Sequence, residues 1–344
     1  MIVARPENGR FERSGPMRSA VLGVGGFGRE VLPALVANGI EIATVVDHDA
    51  AALAEAVRTY DLASSAVYDS DEGGWWDTNV QMVVDCTPPG GHLRHAEAAF
   101  QAGLDVLVAK PMALSLADAS RMVELAGLAG RRLATIQQMR YLPAFLRVRD
   151  IIAQGTLGRL GVVTITFNVD GTFWQPGLAW RLAMDQPLLW EGSVHVLDLV
   201  RWVTEDEPAA VVAHAFQPPW SEFRGPAGLV MCAELRGGTT VRYLANWAPR
   251  GSTVVPLNSG WELEFDHGIV TVTEESVMVN GETLLAPPAR LASLADLNTR
   301  LVRWYVDWVA GQDAAGPTGA DNLRTVAFAD AVQRASTSGS RVIL

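Results

Sequence analysis

All but one of the 27 basic side chains in this 344-residue sequence are arginine, and the single lysine is Lys110. A guanidinium stays charged at any physiological pH, whereas an ammonium can be tuned to lose or share a proton. Position 110 is thereby marked for proton chemistry before any motif is considered. Glu191 and His195 stand four residues apart in a stretch with helical periodicity. On a regular helix they share one face, where a carboxylate fixes the imidazole tautomer and raises its basicity. A lysine, a histidine and a carboxylate brought together can move a proton on and off a hydroxyl or carbonyl oxygen.

The elements around these residues follow from apolar spacing. Ala20–Leu22 form a short apolar run ahead of Gly23-Val24-Gly25-Gly26-Phe27-Gly28, and Val31, Leu32, Leu35 and Val36 then recur at helical spacing up to Asn38-Gly39. A second apolar run, Ile42 to Val46, ends at Asp47. Strand, glycine turn, helix, strand and acid in this order form the dinucleotide fingerprint, with helix-terminal amides offered to a pyrophosphate. Asp47 at the strand end suits the ribose hydroxyls and repels a 2′-phosphate, so NAD is expected and NADP disfavoured. A cationic His48 next to it would offset part of that charge.

Strands and helices keep alternating to about residue 139, which implies a parallel sheet covered on both faces. Lys110 follows the strand Val106 to Val108, so it falls at a carboxyl end, where open α/β sheets bind ligands. Beyond about residue 140 the period becomes two, as in Val163, Ile165, Phe167 and Val169. The expected architecture is an α/β Rossmann domain over 17–139 and an α+β domain over 140–344. The second has a mostly antiparallel open sheet and binds substrate. Residues 1–16 read as a disordered extension.

Composition narrows the function. With 49% apolar and 19% charged residues the chain is globular, and its formal charge of −11 opposes nucleic-acid binding. No uncharged apolar run reaches the ~18 residues of a membrane span, and the N-terminus lacks a signal-peptide core. Two cysteines make neither a disulfide framework nor a Cys-rich metal site, and the His92/His95 pair lacks a third ligand, so no metal is expected. A cytoplasmic protein acting on a small molecule is what remains. Eleven tryptophans supply flat apolar faces, and Trp174, Trp180 and Trp190 cluster just before Glu191 as candidate walls for a sugar ring. Arg140 and Arg181 suit a carboxylate or phosphate.

Several stretches together resemble the Gfo/Idh/MocA family of nicotinamide-dependent oxidoreductases. They are GVGGFGR at the glycine turn, Thr87-Pro88 with His92, Gly103 to Lys110-Pro111 with Ala109 in place of the family's Glu, Arg140-Tyr141, Gly155 to Gly158, and Glu191 to Asp198. The resemblance implies a Rossmann domain whose Gly23, Gly25, Gly26, Phe27, Gly28, Asp47, His48, Thr87, Pro88, His92 and Lys110 hold the cofactor. It implies that Lys110 and His195 face a sugar, cyclitol or related polyol, with Glu191 paired to His195, and that the open sheet forms a homodimer or homotetramer. Hydride would pass between nicotinamide C4 and a carbinol or ketone. Two alternatives keep the fold: redox-neutral chemistry on a retained cofactor, and a non-catalytic NAD or ligand binder. A cis bond before Pro111 is expected to aim Lys110, and Asp198 to fix its helix or an arginine such as Arg201.

Overall fold

The structure is a computed structural model and describes residues 16–63, 67–77, 79–173, 178–251, 254–273, 276–286, 292–312 and 315–344. Apart from Pro16, the extension expected over 1–16 lies outside the described residues. The first unit runs β1 (Met17–Leu22), α1 (Gly26–Ala37), β2 (Ile40–Val46), α2 (Ala50–Tyr60), β3 (Val67–Tyr68), β4 (Met82–Asp85), α3 (His92–Gln101), β5 (Asp105–Ala109), α4 (Leu116–Leu128) and β6 (Leu133–Ile136). Its six described strands are all parallel, in the order β3-β2-β1-β4-β5-β6. β4, β5 and β6 are buried along their whole length, as a sheet covered on both faces requires. The order reverses at β1/β4, and that switch opens a crevice at the carboxyl edge.

The second unit begins with α5 (Pro143–Gln154), closed by Gly155, and β7 (Leu160–Asn168). It continues through α6 (Leu178–Leu182), α7 (Val194–Thr204), β8 (Pro208–Phe216), β9 (Gly228–Leu235), β10 (Thr240–Asn246), β11 (Trp261–Phe265), β12 (Gly268–Thr273), β13 (Ser276–Val279) and β14 (Glu282–Leu285). The chain ends in α8 (Leu294–Val309), α9 (Gly319–Ser338) and β15 (Val342–Ile343). The described strands form one nine-stranded sheet, β14-β13-β12-β11-β7-β10-β9-β8-β15. It is mixed, because β7 and β10 pair in parallel at its centre while the other pairs are antiparallel. One face is buried on helices. The other carries Val212, Val230, Leu244 and Ile269, all exposed, together with the Arg242–Glu264 ion pair at 2.8 Å.

The C-terminal boundary differs from the sequence reading. Helix α8 falls within the predicted second domain, yet it returns to the first and packs on α1. Leu301, Val302, Trp304, Tyr305 and Val309 share one core with Val31, Leu32 and Leu35. The Asn298 side-chain amide donates to the Glu30 carbonyl and the Asn38 amide to the Thr299 carbonyl, both at 3.0 Å. A period of 3.6 shows that a helix is amphipathic but not which sheet it covers. No helix among the described residues is long and apolar enough to cross a membrane.

Arg140 is the second correction. Proposed from sequence as an anion receptor, it is 3% exposed and forks onto Asp198, with Nε–Oδ2 at 2.7 Å and Nη2–Oδ1 at 2.6 Å. Its Nη2 also reaches Asp321 in α9 at 2.5 Å. Asp198 therefore fixes Arg140, while Arg201 forks onto Glu207 at 2.7 and 2.8 Å. Trp190 is likewise core, 4% exposed, with its indole N–H on Gln333 at 2.9 Å.

Candidate active site

The glycine turn leaves β1 at the crevice. Gly23 lies at φ +78°, the left-handed region that glycine tolerates best. A Cβ on Gly28 would sit 1.8 Å from the Gly23 carbonyl oxygen, so only hydrogen lets α1 start this close to the strand. No side chain caps α1 and its first turn holds no acid, which leaves the helix N-terminus open to an anion. Asp47, just past β2, accepts from the Val24 and Gly25 amides at 2.8 and 3.0 Å on Oδ2 and from the Asp49 amide at 2.9 Å on Oδ1. The carboxylate is held against the turn, where a ribose would meet it. His48 stands exposed beside Asp71 at 3.8 Å. Turn, open helix end and acid fit a dinucleotide.

The loop after β4 is tied down by two histidines. Thr87 donates its amide and hydroxyl to Asp85 at 3.0 and 2.6 Å, and Pro88 is exposed beside it. His92 bridges the Thr87 carbonyl (Nε2, 2.9 Å) and the Pro111 carbonyl (Nδ1, 3.1 Å), joining this loop to the segment after Lys110. His95 lies between two carboxylates, Nδ1 on Asp85 and Nε2 on Asp71, both at 2.8 Å, with Arg94 on Asp71 at 2.7 Å. Burial opposes both charges, but the pairing prevails. Hydrogen bonds donated to Asp85 and Asp71 hold the His95 pKa above its ordinary 6.5, and the two histidines take Asp85 down to about 2.

A pH dependence of stability follows. The raised His95 contributes fully below pH 6.5 and loses its contribution as pH rises through the folded value; the depressed Asp85 contributes above 3.8 and loses it as pH falls toward 2. Melting temperature should be flat between those limits and decline on either side. In His95→Gln the alkaline decline should shrink; an unchanged alkaline slope would mean that His95 is not the group responsible.

Lys110 caps β5 and its peptide bond to Pro111 is cis. Its Nζ donates to the Glu191 carbonyl at 2.8 Å and to Glu191 Oε2 at 3.2 Å. Burial is the main influence lowering its pKa and Arg181 adds to it, while Glu191 opposes both. Arg181, in α6, donates through Nε to the same Oε2 at 2.9 Å and lies 4.5 Å over the Trp180 ring. Arg181 thus stands beside Lys110 with Trp180 against its guanidinium, whereas Trp174 lies outside the described residues.

The expected Glu191–His195 pair does not form. Residues Leu188–Ser193 adopt a π-helical turn before α7, so four-residue spacing no longer means a common face. The turn is held from outside: Gly192 lies so close to the Trp247 ring that a Cβ would be 2.5 Å from it, and the Ser193 hydroxyl meets that of Tyr243 at 2.9 Å. Glu191 faces Lys110 and Arg181 instead. His195 is 7% exposed, with Nδ1 on Gln137 Oε1 at 3.2 Å. Burial chiefly, and Lys110 next, hold the imidazole neutral by pushing its pKa well below 6.5. Donation from Nδ1 leaves Nε2 as a bare acceptor. Gln137 was not foreseen from the sequence; the only signal was its place directly after Ile136, the carboxyl end of β6.

A switch-point crevice with a dinucleotide turn and an adjoining lysine–glutamate–arginine cluster beside a neutral histidine defines a nucleotide-dependent oxidoreductase. Residues 17–137 match the oxidoreductase family with an NAD-binding Rossmann fold, and residues 145–278 match the GFO/IDH/MocA C-terminal domain. The chain belongs to the Gfo/Idh/MocA family, and its first domain is an NAD-binding Rossmann domain. It is 28% identical over 341 residues to inositol 2-dehydrogenase of Streptomyces avermitilis, covering 94% of this chain and 93% of that one. It is 31% identical over 201 residues to 1,5-anhydro-D-fructose reductase of Ensifer adhaerens, covering 57% and 59%. Its fold matches, with a TM-score of 0.85 at 18% identity over 95% of this chain and 98% of the other, an Agrobacterium radiobacter oxidoreductase in complex with NAD+, L-tartaric acid and magnesium.

Proposed function

We propose that this protein catalyses NAD-dependent interconversion of a secondary carbinol and its ketone on a sugar or cyclitol-like molecule. The observation that carries this reading is the environment of Lys110 Nζ at the carboxyl end of β5. The Glu191 carbonyl and Oε2 accept from Nζ, so that when Lys110 gives up a proton two N–H groups stay engaged and its lone pair is left for a substrate hydroxyl. The names of the inositol dehydrogenase and anhydrofructose reductase relatives support the substrate class. Bound NAD supplies the hydride acceptor. Lys110 takes the hydroxyl proton at Nζ, a role for which its lowered pKa prepares it. His195, neutral and with Nε2 bare, can pass that proton on from Lys110 to solvent as a short-lived imidazolium; in the reverse direction the two return it. Glu191 and Arg181 hold Lys110 in place and keep its pKa balanced between burial and pairing. Near-ultraviolet absorbance of NADH over a panel of inositols, hexoses, uronic acids and their reduced forms tests the reading; no net change in NADH with any polyol or ketone would overturn it.

Gln137 is a positioning residue here, setting the tautomer of His195. Glu at position 137 would raise the imidazole pKa, and a base that must be neutral then needs higher pH. In Gln137→Glu the acid limb of the kcat profile should move up by about one pH unit or more; an unmoved limb would show that His195 does not pass the proton on.

The sheet face bearing Val212, Val230, Leu244 and Ile269 is our proposed surface for a homodimer or homotetramer, since a row of exposed apolar side chains on a wide sheet is costly in water. Light scattering at micromolar concentration should give a dimer or tetramer; a monomer would contradict this.

A further inference from the structure

Arg181 is placed as a receptor with an unused end. Its side chain is 19% exposed, its Nε is committed to Glu191, and its flat face is covered by Trp180. Among the described residues neither Nη group has a partner, and the side chain as a whole is partly open to solvent. A guanidinium clamped at Nε and on its face cannot swing away, so its two Nη donors point in one direction. Two parallel N–H donors match the two oxygens of a carboxylate.

The charge of the site agrees. Once Lys110 has taken the hydroxyl proton, it and Arg181 bring two cations to one carboxylate, Glu191, while His195 is held neutral. Both cations share a single oxygen, Glu191 Oε2. In that state the cluster carries an excess positive charge in a poorly hydrated place, where an unbalanced charge is unfavourable. One substrate anion of charge −1 restores balance. A phosphate dianion overshoots it, and a neutral polyol leaves it unmet.

We infer that the Nη edge of Arg181 is a carboxylate subsite, and that the substrate is a sugar acid or carboxylated polyol rather than a neutral sugar. This rests on the reading above that a carbinol is oxidised at Lys110, and it adds the group that orients the molecule. The carboxylate docks on Arg181 while a hydroxyl farther along the carbon chain meets Lys110. A neutral hydroxymethyl in the same place leaves the two Nη donors without a charged acceptor.

The test is calorimetric titration of the protein with NADH bound. The probes are matched pairs that differ only in carboxylate against hydroxymethyl: D-gluconate and D-glucitol, D-galactonate and D-galactitol, D-mannonate and D-mannitol. At least one acid should bind tenfold or more tightly than its neutral partner, and Arg181→Met should reduce that ratio to within about threefold. No acid outbinding its partner would overturn the inference. So would Arg181→Met weakening both members of a pair equally, since Arg181 would then merely hold Glu191. D-glucitol 6-phosphate binding more tightly than every acid would overturn the choice of carboxylate. Acids that bind through Arg181 without any hydride transfer would sink the oxidoreductase reading and leave the subsite standing. Neutral polyols oxidised as efficiently as their acids would do the opposite.

Discussion

Lys110→Arg should lose about two to four orders of magnitude in kcat, the range expected for removing a positioned acid–base group. That corresponds to about 3–5 kcal/mol of barrier. Arginine retains the positive charge and can still bond Glu191, but it has no lone pair to offer a hydroxyl at neutral pH. Lys110→Met should show a loss of the same size, because the charge alone is not what the reaction uses. Steady-state kinetics on the best polyol of the panel checks both. If the arginine variant works within a few-fold of wild type, Lys110 is an electrostatic anchor and the proton leaves by another route.

Asp198→Ala should destabilise the fold by about 3–5 kcal/mol, the usual consequence of stripping one partner from a buried ion pair. Asp198 is 1% exposed, and its carboxylate accepts both prongs of Arg140 and the Thr325 hydroxyl at 2.9 Å. Arg140 would keep only Asp321. The midpoint of thermal unfolding should fall by on the order of ten degrees. A loss below about 1 kcal/mol would mean that Asp321 suffices and that the pair is not integral to the seam between α7 and α9.

The first domain was readable because its chemistry is local. Gly23, Gly28 and Asp47 lie within one strand–turn–helix–strand unit, and Lys110 directly follows a strand, so spacing along the chain translated into proximity in space. The second domain resisted for specific reasons. Arg140 looked free because its partners Asp198 and Asp321 are 58 and 181 residues away, and no periodicity pairs a buried guanidinium with such distant acids. Glu191 and His195 were placed on one face by α-helical geometry. The π-turn, with Gly192 packed against Trp247, is a feature that four-residue spacing cannot reveal. Trp190 has the composition of a binding wall but the burial of a core residue, and only packing separates the two. Helix α8 was assigned to the wrong unit because amphipathicity marks a face without naming its neighbour. Gln137 belongs to no motif and became visible only when β6 was laid beside α7.

The most direct measurement follows an isotope. A polyol from the panel is deuterated at the reacting carbinol carbon, mixed with the protein and NAD+, and the free nucleotide is analysed by mass spectrometry. We expect NADH carrying one deuterium in solution, in step with ketone, from wild type and not from Lys110→Arg. Unlabelled nucleotide, or label returned to the sugar with no free NADH, would contradict net carbinol oxidation at Lys110.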